Sequence, residues 1–434
     1  MLDIKYLANH VAAVAANCVD RKMPCDVEAL VGRFRDRNAA LTQVEALRQE
    51  ANEVAKSMRA PMDATDRAAR IARGRELKQE IATIDALVTE LQTGLDAGLR
   101  ALPNLTHADV PIGDTDEDNR TLRHWGEPRV FDFAARDHVE LGRALDLIDF
   151  ESGARVAGQK FYFLRNQAVL LDIALQRLAL ERLMARGYTA VATPDLARPD
   201  ILEGIGFNPR GEESQVYSVA GHDLCLIGTA EITIGGMMAG RLLAATELPQ
   251  RYVGVSHCFR TEAGAAGRES KGLYRVHQFT KIEMFALCHS GPGDGARHDS
   301  EDLHDEMVAA EEELLQVLEI PYRVVDVCTG DLGAPAYRKF DIEAWMPGRG
   351  DGGAYGEVTS TSNCTDFQAR RLGIRAYPVD GGKPRYVHTL NGTAIAVSRT
   401  LIALLENHQQ ADGSITIPAA LAAFLPFERI EPLA

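Results

Sequence analysis

Positive charge is in short supply in this 434-residue chain. Lys and Arg number 47 against 62 Asp and Glu, a formal net charge of −15. This excludes a protein that coats nucleic acid with its whole surface, so contact with a phosphate backbone has to come from a local basic patch. Cysteine is also sparse. The seven cysteines include no Cys-x-x-Cys pair, which argues against a disulfide framework and against structural zinc. No stretch approaches the roughly 20 apolar residues of a membrane span. Asp3, Lys5 and Asn17 make the N-terminus a poor signal sequence, so the expected location is cytoplasmic, with no membrane partner. No Walker-A loop is present, so any nucleotide is bound another way. Gly348-Arg-Gly-Asp-Gly-Gly fits a dinucleotide pattern, but it neither follows a clear strand nor opens a helix, which that chemistry requires.

The rest of the composition is ordinary for a globular protein, 46% hydrophobic and 25% charged, with room for two or three domains. Residues 1 to about 25 read as a short helix and a turn. From Val27 to Met58, and again from Leu77 to Leu99, apolar residues fall mostly three and four apart. Pro61 separates the two runs and Pro103 closes the second. These spacings predict two long helices forming an antiparallel hairpin over about 27–100, with an apolar seam too narrow for a domain core. Around the bend, Arg59, Arg67, Arg70, Arg73, Arg75 and Lys78 outnumber the acids Asp63, Asp66 and Glu76. A basic tip of this kind suits a phosphate backbone; a solvated face of intrahelical ion pairs is the plainer alternative.

Residues 106–135 read as a linker, with Pro111, Pro128 and the acidic run 114–118. A mixed α/β pattern follows. An apolar helix over 168–185, stopped by Gly187, leads into a strand that ends at Pro194. The 289–304 segment reads as a surface loop with solvent-exposed histidines at 289, 298 and 304. An acidic helix covers 301–318, and Leu390–Asn407 reads as a strand turning into an apolar helix.

The densest chemistry lies in Phe259–Met284, read as strand, charged loop and strand. On a strand, Arg260 and Glu262 share one face by the period of two. If that face is buried, two charges on it need partners or a ligand. Arg268, Lys271 and Arg275 in the loop suit an anionic, flexible ligand such as a polyphosphate.

These residues resemble a known family. Phe259-Arg-Thr-Glu, with Phe279 and Glu283-Met284 after the loop, resembles motif 2 of the class II aminoacyl-tRNA synthetases. Leu390-Asn-Gly-Thr with Ser398-Arg399-Thr400-Leu401 resembles motif 3, and the helix and strand ending at Pro194 are similar to motif 1. Thr229-Ala230-Glu231, the run Glu357–Arg371 and the helical arm together resemble the seryl-tRNA synthetases, over essentially the whole chain.

The resemblance implies an α+β fold: an antiparallel sheet flanked by helices, with an N-terminal coiled-coil arm. It divides the chain into a tRNA-binding domain (1–105), the linker (106–135) and a catalytic domain (136–434). The implied activity is ATP-dependent ligation of L-serine to tRNA(Ser), and to tRNA(Sec), through a seryl-adenylate, by a homodimer using Mg2+. By the same resemblance Arg260, Glu262 and Arg399 are catalytic. Arg260 meets the α-phosphate, and Thr261, Glu262, Arg275, Val276, Val358 and Thr359 complete the ATP site. Phe279 and Arg399 sandwich the adenine, and Glu357 with Ser360 holds magnesium. Serine is met by Thr229, Ala230, Glu231, Arg260, Glu283, Asn391 and Thr393. Thr393 stands where Ser is frequent in the family, and Thr359 and Thr361 where Ser and Cys are common. The alternative is a paralogue that activates serine or an analogue for a carrier protein or a specialised biosynthetic or self-resistance role; loading a carrier would not need a tRNA arm.

Overall fold

The computed structural model describes residues 1–208, 215–263, 271–291 and 299–433. Arg268 and His298 lie outside the described residues. Two compact units, Met1–Leu105 and Thr106–Ala434, divide the chain.

In the first unit, two helices stand where one was expected, Ile4–Asn9 and Val11–Asp20, because His10 interrupts the helical backbone. Asp26 and Asp63 cap the long helices Val27–Ser57 and Ala64–Ala101, accepting from the Ala29 and Asp66 amides. At about 1.5 Å per residue these helices run about 46 and 57 Å. Leu30 packs on Gly98, Arg33 on Gly94, Arg48 pairs with Asp85 at 2.9 Å and Arg73 with Glu50 at 2.8 Å. Numbers rise along one helix as they fall along the other, so the pair is antiparallel. A Cβ at Gly98 would come 2.1 Å from Leu30 Cδ2, which sets the closeness of this crossing. Leu7, Val14, Cys18, Leu30, Leu95, Leu99 and Leu102 form a core at the end of the helix pair nearest the chain's start. Farther out the buried apolar positions thin to Ala40, Val44 and Leu77.

The second unit is built on an eight-stranded sheet. Its spatial order is 120–125, 322–326, 338–346, 354–365, 388–396, 278–288, 250–259 and 189–192. Neighbours are antiparallel except the last pair, which is parallel. Period-two geometry sorts the 278–288 strand cleanly. Ile282, Met284, Ala286 and Cys288 enter the large core shared with helices Gln167–Ala185, Asp299–Val317 and Val397–Asn407. Phe285 and Leu287 face the opposite core, shared with Ala230–Met237 and Phe367–Leu372. Lys281 and Glu283 belong to that same second face, where they line a cavity.

Three local expectations are corrected. The segment read as a linker contributes the edge strand Arg120–Trp125, exposed at all six positions. It is held by Arg120 to Asp326 at 2.7 Å and by Arg123 to Glu312. A charged edge strand carries no apolar alternation, which is why its sequence reads as a connector. Second, His304 is not exposed. It lies in the 299–317 helix at 3% exposure, its Nε2 3.0 Å from the Thr361 carbonyl. Burial pushes its pKa down to about 4. His289 is half-buried, 3.1 Å from the Ala245 carbonyl. Third, the strand before motif 2 stops at Phe259, so Arg260 and Glu262 are not strand neighbours. Glu262 takes a left-handed φ of +53°. No helix among the described residues is long and apolar enough to cross a membrane.

Candidate active site

A cavity of about 210 Å³ is lined from the 278–288, 354–365 and 388–396 strands and from the starts of the 230–237 and 397–407 helices. It gathers Thr229, Glu231, Arg260, Glu262, Arg275, Val276, Phe279, Glu283, Glu357, Val358, Thr359, Ser360, Asn391, Thr393 and Arg399. Residues as far apart in sequence as Thr229 and Arg399 thus meet in one place. Two predicted residues stand outside the lining: Ala230 is buried in the second core, and the Thr261 amide donates to the Gln215 carbonyl at 3.1 Å.

Thr229 caps the 230–237 helix, its hydroxyl accepting from the Glu231 amide at 3.2 Å. Glu231 Oε1 accepts from Gln368 Nε2 at 2.7 Å and from Asn391 Nδ2 at 2.9 Å. Gln368 is itself fixed, donating to the Ile205 carbonyl at 3.1 Å and accepting from the Thr389 hydroxyl at 2.7 Å. Burial, and then the charge of Glu283, push Glu231 up to about 7. Glu283 pairs with Lys281 at 2.6 Å and accepts from the Thr393 hydroxyl at 3.2 Å.

Beneath these strands, on the core side, Glu311 of the 299–317 helix is fully buried. Thr359 donates to it at 2.8 Å and Thr361 to its other oxygen. Desolvation raises its pKa well above the carboxylate range, reinforced by the charge of Glu283.

Besides Lys281, three guanidiniums supply the positive charge. Arg260 donates to the Gly228 carbonyl at 3.5 Å and lies 5.5 Å from the Phe279 ring centre. Arg275 sits 3.5 Å from Glu262, and its buried Nε has no hydrogen-bond partner among the described residues. Arg399 reaches the Glu357 carboxylate at 3.0 Å and lies over the Tyr274 ring at 4.7 Å. Burial works against charge on Glu357, but Arg399, Lys339 and Arg260 outweigh it and hold the carboxyl below its ordinary range.

In this arrangement Phe279 is covered by Arg260, and Arg399 stacks on Tyr274 instead. Lys281, Tyr274 and Gln368 were missed in the sequence reading. Lys281 carried a usable signal, since it lies two residues from Glu283 on a strand and therefore on the same face. Gln368 and Tyr274 carried none, because their partners come from remote segments.

The helix-pair residues are distributed differently. Arg59, Arg67, Arg75 and Lys78 are exposed and Arg70 is half-buried. Arg73 is engaged with Glu50, Glu76 and Glu80 at 2.8–3.3 Å, so it braces the two helices.

Comparison with known proteins gives a consistent result. Residues 215–408 match the family described as tRNA synthetase class II core domain (G, H, P, S and T). Residues 1–106 match the seryl-tRNA synthetase N-terminal domain. The chain is similar to the serine–tRNA ligase of Rubrobacter xylanophilus, 52% identical over 432 residues, which cover 100% of this chain and 99% of that protein. It is 50% identical over 430 residues to the serine–tRNA ligase of Treponema denticola, covering 99% and 100%. Among solved structures it is similar to seryl-tRNA synthetase from Pyrococcus horikoshii complexed with ATP, with a TM-score of 0.91, 40% identity and full coverage of both chains.

Proposed function

Because the chain belongs to the seryl-tRNA synthetase family, we propose that it joins L-serine to ATP as seryl-adenylate and transfers the seryl group to tRNA(Ser) and tRNA(Sec). The observation that carries this reading is a single cavity holding three guanidiniums together with the paired acids Glu231 and Glu283. Arginines suit a triphosphate. Acids with hydroxyl and amide neighbours suit an ammonium and a small hydroxyl.

Glu231, with Thr229, takes the serine ammonium; Glu283 and Thr393 read its hydroxyl. Glu283 then has a fixed partner set, which an alanine side chain would leave incomplete, and such sites reject the poorer analogue by roughly 10⁴ or more. The serine carboxylate is ionised and needs no base. One of its oxygens forms a bond to the α-phosphorus as the bond to the bridging oxygen breaks and pyrophosphate leaves. Arg260 stabilises the charge that grows on the α-phosphoryl oxygens. Arg275, whose buried Nε has no partner among the described residues, is satisfied by a phosphate oxygen. In the second step the 3′-terminal ribose hydroxyl of the tRNA attacks the acyl carbon and AMP departs.

Glu357 and Ser360 would hold Mg2+: an ionised carboxylate and a hydroxyl, both lining the cavity, are hard oxygen donors of the kind this ion takes. When bound, the ion neutralises phosphate charge. Arg399 and Glu357 are paired with each other here; with ATP and the ion bound, Arg399 would be available to the adenine and Glu357 to the metal.

The helix pair carries the tRNA contact through its exposed arginines, and the enzyme works in the cytoplasm as a homodimer. Exposed Val169, Leu170 and Ile173 on one face of the 167–185 helix support a second copy there. The carrier-loading alternative is not favoured, since the similarity runs through the N-terminal domain. Serine-dependent ATP–pyrophosphate exchange tests the first step, and its absence in folded protein overturns the reading. Deleting 27–100 should abolish tRNA charging while exchange persists.

A further inference from the structure

Gly272 to Val276 form the limb by which the chain returns to the cavity floor, and two of the residues that hold this limb, His138 and Glu406, lie outside every motif named above. Gly272 has a left-handed φ of +59°, and a Cβ there would lie 2.0 Å from His138 Nε2. Next to it, the Leu273 amide donates to His138 Nε2 at 3.1 Å. An N–H can donate only to an unprotonated ring nitrogen, so the proton of His138 resides on Nδ1. Nδ1–H donates to Glu406 Oε1 at 2.8 Å. The same carboxylate accepts the His138 amide at 2.9 Å on Oε1 and the Gly348 amide at 2.9 Å on Oε2. His138 and Glu406 are 5% and 1% exposed.

This cluster closes a circuit with the ATP side of the cavity. Glu406 lies on the 397–407 helix two turns after Arg399. Tyr274, the residue after Leu273, accepts from Arg399 Nε through its carbonyl at 3.3 Å. Its ring meets the guanidiniums of both Arg399, at 4.7 Å, and Arg349, at 4.3 Å. One helix therefore holds the limb twice, at Leu273 through Glu406 and His138, and at Tyr274 through Arg399.

We propose that His138 is a positioning residue for ATP: through the Leu273 amide it sets where Tyr274, Arg275 and Val276 stand in the cavity. The inference rests on the serine-activating function proposed above. His138 itself does not line the cavity, so its effect is confined to the nucleotide side. The serine contacts at Glu231, Glu283 and Thr393 belong to other elements.

The test is ATP–pyrophosphate exchange with wild type, His138→Ala, His138→Gln and Gly272→Ala. Wild-type exchange establishes the underlying reaction independently; no exchange there would overturn the function and not this inference. His138→Ala, which leaves the Leu273 amide unpaired, should raise KM for ATP about tenfold with KM for serine unchanged. His138→Gln, which restores an acceptor, should recover most of that loss. Gly272→Ala, which drives a methyl into the ring with His138 still present, should reproduce the ATP effect and covers the case that His138→Ala does not fold. An unchanged KM for ATP in either folded alanine variant, or an equal rise in KM for serine, overturns the proposal.

Discussion

The ammonium of Lys281 lies 2.6 Å from Glu283 Oε2, and both side chains are almost fully buried. The acid proposed to read the serine hydroxyl is therefore held by a cation on its own strand before any substrate arrives. Lys281→Met would leave a buried carboxylate without its counter-charge, an arrangement that typically costs about 3 kcal/mol. The expected outcome is a lower midpoint in urea together with a higher KM for serine. A variant with both values unchanged would remove Lys281 from the site.

Glu231 gives the enzyme a pH signature. Its pKa is pushed up to about 7 by burial and by Glu283, so below that pH the serine pairing proposed above requires displacing a proton from the carboxylate. An ammonium favours the ionised form, and binding therefore tightens as pH rises. KM for serine should fall as pH is raised from 6, steeply below 7 and less above it, and Glu231→Gln should flatten the profile while raising KM throughout. Stability moves the opposite way in the serine-free protein. A raised carboxyl pKa contributes stability that is complete below the ordinary value of 4.5 and is lost as pH rises through about 7.

Glu311 lies under the floor, tied to the hydroxyls of Thr359 and Thr361. Thr361→Val keeps the volume and removes one donor, which should cost roughly 1–3 kcal/mol by stranding a buried acceptor. Glu311→Gln keeps a neutral side chain of the same shape and should be milder. Because the folded pKa of Glu311 is raised well above the ordinary 4.5, its contribution to stability is complete below that ordinary value and is lost as pH rises toward the raised one. Glu311→Gln should reduce this loss, read by chemical denaturation across pH.

The helix pair separates two kinds of arginine. Reversing charge at Arg59, Arg67 and Arg75 together should weaken tRNA charging and reduce the salt dependence of tRNA binding, by a slope of about 0.7–0.9 for each phosphate contact removed. Pyrophosphate exchange should be untouched. Arg73→Ala acts on the contact with Glu50, Glu76 and Glu80, so its effect should appear in the melting of the isolated helical signal before it appears in charging.

Local pattern carries far in this chain. The long helices were legible because a narrow seam repeats every three or four residues and Pro61 and Pro103 punctuate it. Motif residues such as Arg260, Glu283 and Arg399 were legible by resemblance. The edge strand 120–125 was not, because a strand exposed at every position lacks the apolar alternation that marks burial. His304 was misjudged for a related reason: a histidine in a polar run looks solvated until a helix carries it under a sheet.

What the sequence determined by itself is the inventory: two long helices, the strand–loop–strand at 259–284, and a set of acids and arginines in family order. What only the tertiary structure decided is which of them meet. Arg260 and Glu262 share the cavity through a left-handed turn and not through strand alternation. Gln368 reaches Glu231, and His138 reaches Leu273, across separations of 137 and 135 residues. Buried polar groups are stable only when paired, and pairs at that distance follow from the packing of whole elements, which no local spacing records.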